Sequence, residues 1–380
     1  MTWESIERLK TAAERNALAI SEVKAAGRKV VGLYCLYSPA EVALAAGAVP
    51  VVLCGTRNDP IATAEQVLPR NLCPLIKSSF GFAMEGSCPY LSAADLVVAD
   101  TTCDGKKKMF ELLGEMKPVH LLHLPSTPGE EALPFWHGQL EGLVKRVESD
   151  FGVAITQENL TDAIRLANRE RRALKALMDL PQMDPAPVTG MQMLEMLFKL
   201  GFFADRETVI ELAEGVVDEV QAAAKAGTLP QGKGGPRILL TGVPVGMGSH
   251  KVVRLIEECG GQVVCMENCT GYKKADLVDE TGDPLTALAR RYLATPCSVM
   301  VPNQGRFDLL EKLVADFRPH GVVDLTWQAC HTYNVEAYKV RNFLRDRFDL
   351  PSLHIETDYS EADAEQLKVR IEAFLEMVGG

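Results

Sequence analysis

Nine short runs rich in β-branched residues, each closing on turn or loop residues, are spread along the 380-residue chain with helical patterns between them. Four lie in the first half, at Lys29–Tyr34, Val49–Leu53, Asp95–Asp100 and Pro118–Leu124. Five lie in the second, at Arg237–Thr241, Gln262–Met266, Ser298–Val301, Gly321–Leu325 and Ser352–Glu356. Parallel neighbours cannot be joined by a tight hairpin and need a long crossover, so strands alternating with helices read as βαβ units of a parallel sheet. Two such series predict two similar α/β domains. Both halves also place a glycine between a helix and a strand, in Ala46-Gly47-Ala48-Val49 and in Cys259-Gly260-Gly261-Gln262-Val263. That fits a duplication, and equally fits ordinary C-cap chemistry.

The stretch Trp136 to Ala226 reads as helix: Leu160, Ala163, Ile164 and Ala167 repeat at i, i+3, i+4 and i+7. Gly227 to Pro236, with four glycines and two prolines, is the clearest linker. The predicted layout is an N-terminal helix over 1–28, a first α/β domain over 29–135, a helical region and linker over 136–235, and a second α/β domain over 236–380. At about 150 residues per domain the length has room for this. Forty basic against 51 acidic residues give a net charge of −11, which argues against a broad phosphate-backbone footprint and so against nucleic-acid binding. The first residues are charged from Glu4 with no apolar run behind them, unlike a signal peptide. The longest apolar stretch, Val42 to Cys54, is broken by Gly47 and Pro50 and falls short of the roughly 20 residues a membrane span needs. A soluble cytoplasmic protein is expected.

In that compartment the ten cysteines stay reduced, so each is a core residue or a ligand. Ligands of open parallel sheets gather outside the carboxyl ends of the strands. Cys35, Cys103, Cys269 and Cys330 each follow a predicted strand, and Cys103 and Cys330 stand at nearly matching places, each opening a helical pattern where a thiolate is favoured. Cys73-Pro74 and Cys88-Pro89 lie in the long connection Gly55 to Ala94, where the following proline holds each cysteine extended. Cys54 and Cys265 close strands, and Cys259 falls on the apolar face of the helix Lys251 to Glu258, so packing is the better reading for these three. Cys297, at the front of a predicted strand, ranks seventh. No close CxxC pair suggests zinc and no CxxCxxC run suggests a ferredoxin. A cluster bound here would be assembled from distant segments, in a buried site between two domains.

At Arg70-Asn71-Leu72-Cys73-Pro74, Thr101-Thr102-Cys103-Asp104-Gly105-Lys106-Lys107-Lys108, Gln328-Ala329-Cys330-His331 and Ile355-Glu356-Thr357-Asp358-Tyr359, the sequence resembles the D-component family of 2-hydroxyacyl-CoA dehydratases and benzoyl-CoA reductases. The resemblance runs from about Lys29 to the C-terminus and implies two Rossmann-like (flavodoxin-like) parallel-sheet domains with an intervening helical segment and a cluster between the domains. It implies a 4Fe-4S cluster on three cysteines matching Cys73, Cys103 and Cys330. Cys35, Cys88 and Cys269 look like the further positions of the double-cubane branch, in which six thiolates hold two cubanes joined by a sulfide as an 8Fe-9S cluster. The resemblance also implies a homodimer. A separate ATP-hydrolysing activator with its own 4Fe-4S cluster would supply low-potential electrons, and the chain itself has no GxxxxGKS/T motif.

Other motifs are weaker. Thr241 to Lys251 is rich in glycine but follows neither the P-loop nor the GxGxxG order; it reads best as a tight strand-to-helix turn with Ser249 as N-cap. Lys106, Lys107 and Lys108 either offset cluster charge, meet the activator, or form a solvated helix face. His331 is the candidate proton donor to a bound substrate, with Glu267 and Tyr333 behind it. Three functions follow: a double-cubane reductase component acting on a small molecule, a 2-hydroxyacyl-CoA dehydratase subunit with one 4Fe-4S cluster, and a cluster-binding protein without turnover.

Overall fold

The computed structural model describes residues 3–229 and 234–379, so 230–233 of the expected linker lie outside the described residues. Eight strands form. In the first half β1 (Val30–Leu33), β2 (Val49–Val52), β3 (Leu96–Asp100) and β4 (Val119–Leu122) pair in parallel in the order β2-β1-β3-β4. In the second half β5 (Arg237–Gly242), β6 (Gln262–Met266), β7 (Gly321–Trp327) and β8 (Ser352–Thr357) pair in the equivalent order, β6-β5-β7-β8. Both sheets are thus wound alike, in a flavodoxin-type order, and both are covered by helices. That is why β1, β3, β5 and β7 are buried at every position and read as apolar runs rather than as alternation.

Ser298–Val301 is not a strand. Pro296 and Pro302 bracket it and contribute no amide donors. The backbone instead closes turns, Cys297 N donating to the Thr295 carbonyl at 2.9 Å and Met300 N to that of Cys297 at 3.0 Å. The β7 edge it would have needed is taken by β5 and β8.

The helices preceding the linker are α1 (Glu4–Ala13), α2 (Asn16–Ala25), α3 (Ala40–Ala45), α4 (Ile61–Ala64), α5 (Pro74–Glu85), α6 (Pro89–Ala93), α7 (Asp104–Leu113), α8 (Leu133–Phe151), α9 (Gln157–Asp179), α10 (Gly190–Leu200) and α11 (Arg206–Lys225). After it come α12 (Lys251–Glu258), α13 (Pro284–Leu293), α14 (Gln304–Phe317), α15 (His331–Phe348) and α16 (Ala364–Gly379). The connection from Gly55 to Ala94 is therefore largely helical, because Pro74 and Pro89 serve as first-turn prolines of α5 and α6. Capping boxes at Thr156/Asn159 and Thr189/Gln192 start α9 and α10.

One apolar core runs through both halves, joining Val30, Val49 and Val97 of the first sheet to Ile238, Val323 and Ile355 of the second. Polar contacts tie the same seam. The buried Tyr359 hydroxyl donates to the Gly55 carbonyl at 2.8 Å, and Tyr37 donates to the Thr295 carbonyl at 2.9 Å. Among the described residues no helix is long and apolar enough to cross a membrane.

Candidate metal centre

The carboxyl ends of the two sheets carry the cysteines toward the seam. Cys103 is the N-cap of α7, three residues past β3, and Cys330 is the N-cap of α15, three residues past β7. Cys73 caps α5. Each of these sulfurs therefore stands at a helix N-terminus, where unpaired amides and the macrodipole favour an anion. The Cys103 sulfur accepts from Lys106 N at 3.5 Å. Cys330 is aimed by a backbone exception: Ala329 before it has φ 61°, a left-handed conformation that costs a non-glycine residue about 1–2 kcal/mol.

Cys73, from the first half, and Cys330, from the second, face each other. The contact with Cys330 is the main cause that holds the Cys73 thiol below its ordinary value, ahead of the burial that opposes it. The same contact, followed by burial, pushes Cys330 up. Cys103 stands within electrostatic reach of both. These three form a first group.

A second group is built differently. Cys35, two residues past β1, Cys269, three past β6, and Cys297, in the turn after α13, lie within electrostatic reach of one another. None caps a helix. Burial pushes Cys35 well up, with Asp100 next in weight, and pushes Cys269 up to about 11. The loop carrying Cys269 is closed by Gly271, whose amide donates to the Asn268 carbonyl at 3.0 Å. A Cβ on Gly271 would sit 1.8 Å from the Met266 carbonyl oxygen, so only glycine fits.

Cys88 lies elsewhere. It caps α6, its sulfur accepts from Leu91 N at 3.5 Å, and the groups in its reach include Cys54, Tyr34 and Tyr90. Of the six cysteines picked from the sequence, five thus fall into the two groups. Cys297, ranked seventh there, is the third thiol of the second group. Cys265 is buried among the helices of the middle region. Cys259 is the half-buried C-cap of α12, packed against the edge of the core as expected, one residue past the helix itself.

Behind the second group lies a buried ionic network. Lys273 Nζ is 3.2 Å from Glu267 Oε1 and donates to the Tyr333 hydroxyl at 2.8 Å, with all three residues buried. Arg306, fully buried, reaches Glu267, the Thr241 hydroxyl at 2.9 Å and Glu336. Burial alone would raise the Glu267 carboxyl, but Lys273 and Arg306 outweigh it and hold the carboxyl below the ordinary range. Tyr333, pushed well up chiefly by burial, stands within reach of Cys269 and Cys297. Sequence reading missed Lys273, Arg306 and Asp324; the legible signal was Asp324 inside the apolar run Gly321–Leu325.

The glycine-rich turn after β5 is a seam contact. Its Met247 carbonyl accepts from Thr56 at 3.1 Å, and Ser249 closes the turn on Gly246, whereas the capping position of α12 is His250. His331, the first residue of α15, is exposed beside Cys330. Lys107 and Lys108 also turn outward, to Asp104 and Glu111. Among the described residues no three His, Cys, Asp or Glu side chains converge on a position for a single metal ion. A tetrahedral zinc site, with Zn–S near 2.3 Å, would require sulfurs about 3.8 Å apart.

The model of the 2-hydroxyglutaryl-CoA dehydratase D-component matches residues 35–378. The chain belongs to this family. It is 45% identical to YjiM of Escherichia coli (strain K12), provisionally named a dehydratase subunit, over 95% of this chain and 94% of that protein. It is 24% identical to the (R)-phenyllactyl-CoA dehydratase beta subunit of Clostridium sporogenes over 92% of each chain. It is 21% identical to subunit beta of (R)-2-hydroxyglutaryl-CoA dehydratase of Acidaminococcus fermentans over 94% of each. Membership in this family makes the chain an enzyme component, and the matched span contains every cysteine of both groups.

Proposed function

We propose that this chain is the iron–sulfur component of an ATP-dependent reductase system and holds a double-cubane 8Fe-9S cluster on Cys73, Cys103 and Cys330 together with Cys35, Cys269 and Cys297. The observation that carries the reading is the meeting of two three-thiol groups across one seam, each drawing cysteines from both halves of the chain. The donors suit such a cluster, because soft thiolates select iron–sulfur chemistry. Three thiolates per cubane leave one corner of each for the bridging sulfide. When bound, a cluster of this kind supplies electron transfer at low potential.

The protein's own residues then have defined tasks. The helix N-termini at Cys73, Cys103 and Cys330 stabilise thiolates, and the buried Lys273 places positive charge beside Cys269. Tyr333 holds a proton close to Cys269 and Cys297, and His331 is the candidate donor on the solvent side of Cys330. Electrons come from a separate ATP-hydrolysing activator carrying its own 4Fe-4S cluster, the working unit is a homodimer, and the substrate is a small molecule.

The names of the relatives favour a second reading, a 2-hydroxyacyl-CoA dehydratase subunit with one 4Fe-4S cluster on Cys73, Cys103 and Cys330. Iron and acid-labile sulfide analysis of anaerobically purified protein separates the two: about eight irons per chain support the double cubane, and about four overturn it. Failure of any activator with ATP to reduce the cluster would leave a cluster-binding protein without turnover.

A further inference from the structure

Three buried polar atoms without a hydrogen-bond partner lie on one short stretch: both carboxylate oxygens of Asp100 and the hydroxyl of Thr102. Asp100 ends β3, and its side chain is wholly buried. An unpaired buried carboxylate is among the costliest groups a protein can hold. Among the described residues the cation paired with it is Lys106, whose Nζ stands 3.8 Å from Oδ1 and whose side chain is 12% exposed. Lys106 Nζ also lies 5.7 Å from the centre of the Phe110 ring.

The register shows where this pair stands. β1 and β3 run side by side with Leu33 opposite Val98, and Tyr34 N still donates to the Val98 carbonyl at 3.1 Å, so continuing two residues sets Cys35 opposite Asp100. On the other side Lys106 is in the first turn of α7, and its amide donates to the Cys103 sulfur. The pair is therefore flanked by Cys103 of the first group and Cys35 of the second. Of the three consecutive lysines, only Lys106 points inward.

We propose that Lys106, held in place by Asp100, is the one positive charge shared by the two thiolate groups, and that the pair sets the reduction potential of the cluster they hold. This rests on the reading above. A buried ammonium near the irons stabilises an added electron, and a buried carboxylate disfavours it; low dielectric makes both effects larger than on a surface. The two residues therefore act with opposite signs.

The test is an anaerobic redox titration of the full-length, cluster-loaded protein, followed by electron paramagnetic resonance, with iron per chain measured on each sample. Lys106→Met is expected to disfavour reduction at least tenfold, about 59 mV for one electron. Lys106→Arg is expected to stay within threefold of the parent, and Asp100→Asn to favour reduction. An unmoved or raised potential in Lys106→Met, or a lowered one in Asp100→Asn, overturns the proposal. If Lys106→Met retains no iron, Lys106→Arg decides: a loaded arginine variant supports the need for the charge, and an empty one overturns it. The iron count of the parent judges the double-cubane reading separately, since a single cluster on Cys73, Cys103 and Cys330 would still report the signs of these shifts.

Discussion

The two thiol groups solve the same problem, holding anionic sulfur away from water, by different means. In the first group all three cysteines cap helices, so backbone amides and helix dipoles stabilise the thiolates. In the second none does. Cys35, Cys269 and Cys297 sit in loops, the first two half-buried and the third buried, and desolvation pushes Cys35 and Cys269 up. Burial also raises Cys103, so metal must displace protons in both groups, and what sets the first apart is the backbone amides that meet its sulfurs. Neighbouring cations assist both, Lys106 beside Cys103 and Cys35 and Lys273 beside Cys269.

Breaking the first group should have the largest effect. Cys330→Ser removes the thiol that faces Cys73 across the seam. A hard, weakly acidic hydroxyl binds these irons poorly, so iron per chain should fall by more than half and the visible iron–sulfur absorption should collapse. Retention of full iron would remove Cys330 from the site.

The membership of the second group gives a sharper comparison. Cys297→Ser should cut iron per chain to about half, leaving a single-cubane spectrum on the first group. Cys88→Ser should leave iron unchanged, because Cys88 keeps company with Cys54 and Tyr34. The reverse result would restore Cys88 to the ligand set read from the sequence and exclude Cys297.

The wall behind the second group depends on a buried ion pair. Glu41 on α3 accepts from Arg171 on α9 at 2.6 Å and from the Tyr292 hydroxyl on α13 at 2.7 Å, with its side chain fully buried. Burial alone would raise the Glu41 carboxyl, but Arg171 and the Tyr292 hydrogen bond outweigh it and hold it below the ordinary range. Its stabilising contribution is thus present above the unfolded-state carboxylate pKa and is lost as pH falls through the lower folded value. Glu41→Gln leaves Arg171 buried and unpaired, and should cost about 3–5 kcal/mol at neutral pH. The gap to the parent should narrow as the pH falls below about 4. Urea unfolding at a series of pH values checks both; an equal gap at every pH would assign the loss to packing.

Much of the first group was legible because its chemistry is local. Cys-Pro at a helix start and cysteines just past apolar strands are patterns of adjacent residues, and the strand runs marked both sheets almost to the residue. The second group depends on tertiary placement. Cys297 stands in a turn between two prolines, where a strand is expected from sequence, and Cys88 stands at the start of a helix inside the connection from Gly55 to Ala94, so the choice between them as a ligand turns on intervening segments. Cysteines of equal composition and similar context part company through such folding of intervening segments. Arg306 and Lys273 were hidden for a related reason: a buried cation is recognised by the carboxylate it meets, and Glu267 lies 39 positions from Arg306 (306 minus 267).

The smallest effect should belong to a cysteine outside both groups. Reading Cys259 as part of an apolar helix face implies that serine there would cost about 1–3 kcal/mol, the usual penalty for a hydroxyl in an apolar site. As the half-buried C-cap of α12, with its sulfur 3.9 Å from Glu372 Oε1, Cys259 already has a polar neighbour. Cys259→Ser should therefore change stability by no more than about 0.5 kcal/mol, and iron per chain not at all. A loss of iron would mean that the cluster depends on thiols beyond the seam. A larger loss of stability with iron retained would return Cys259 to the core.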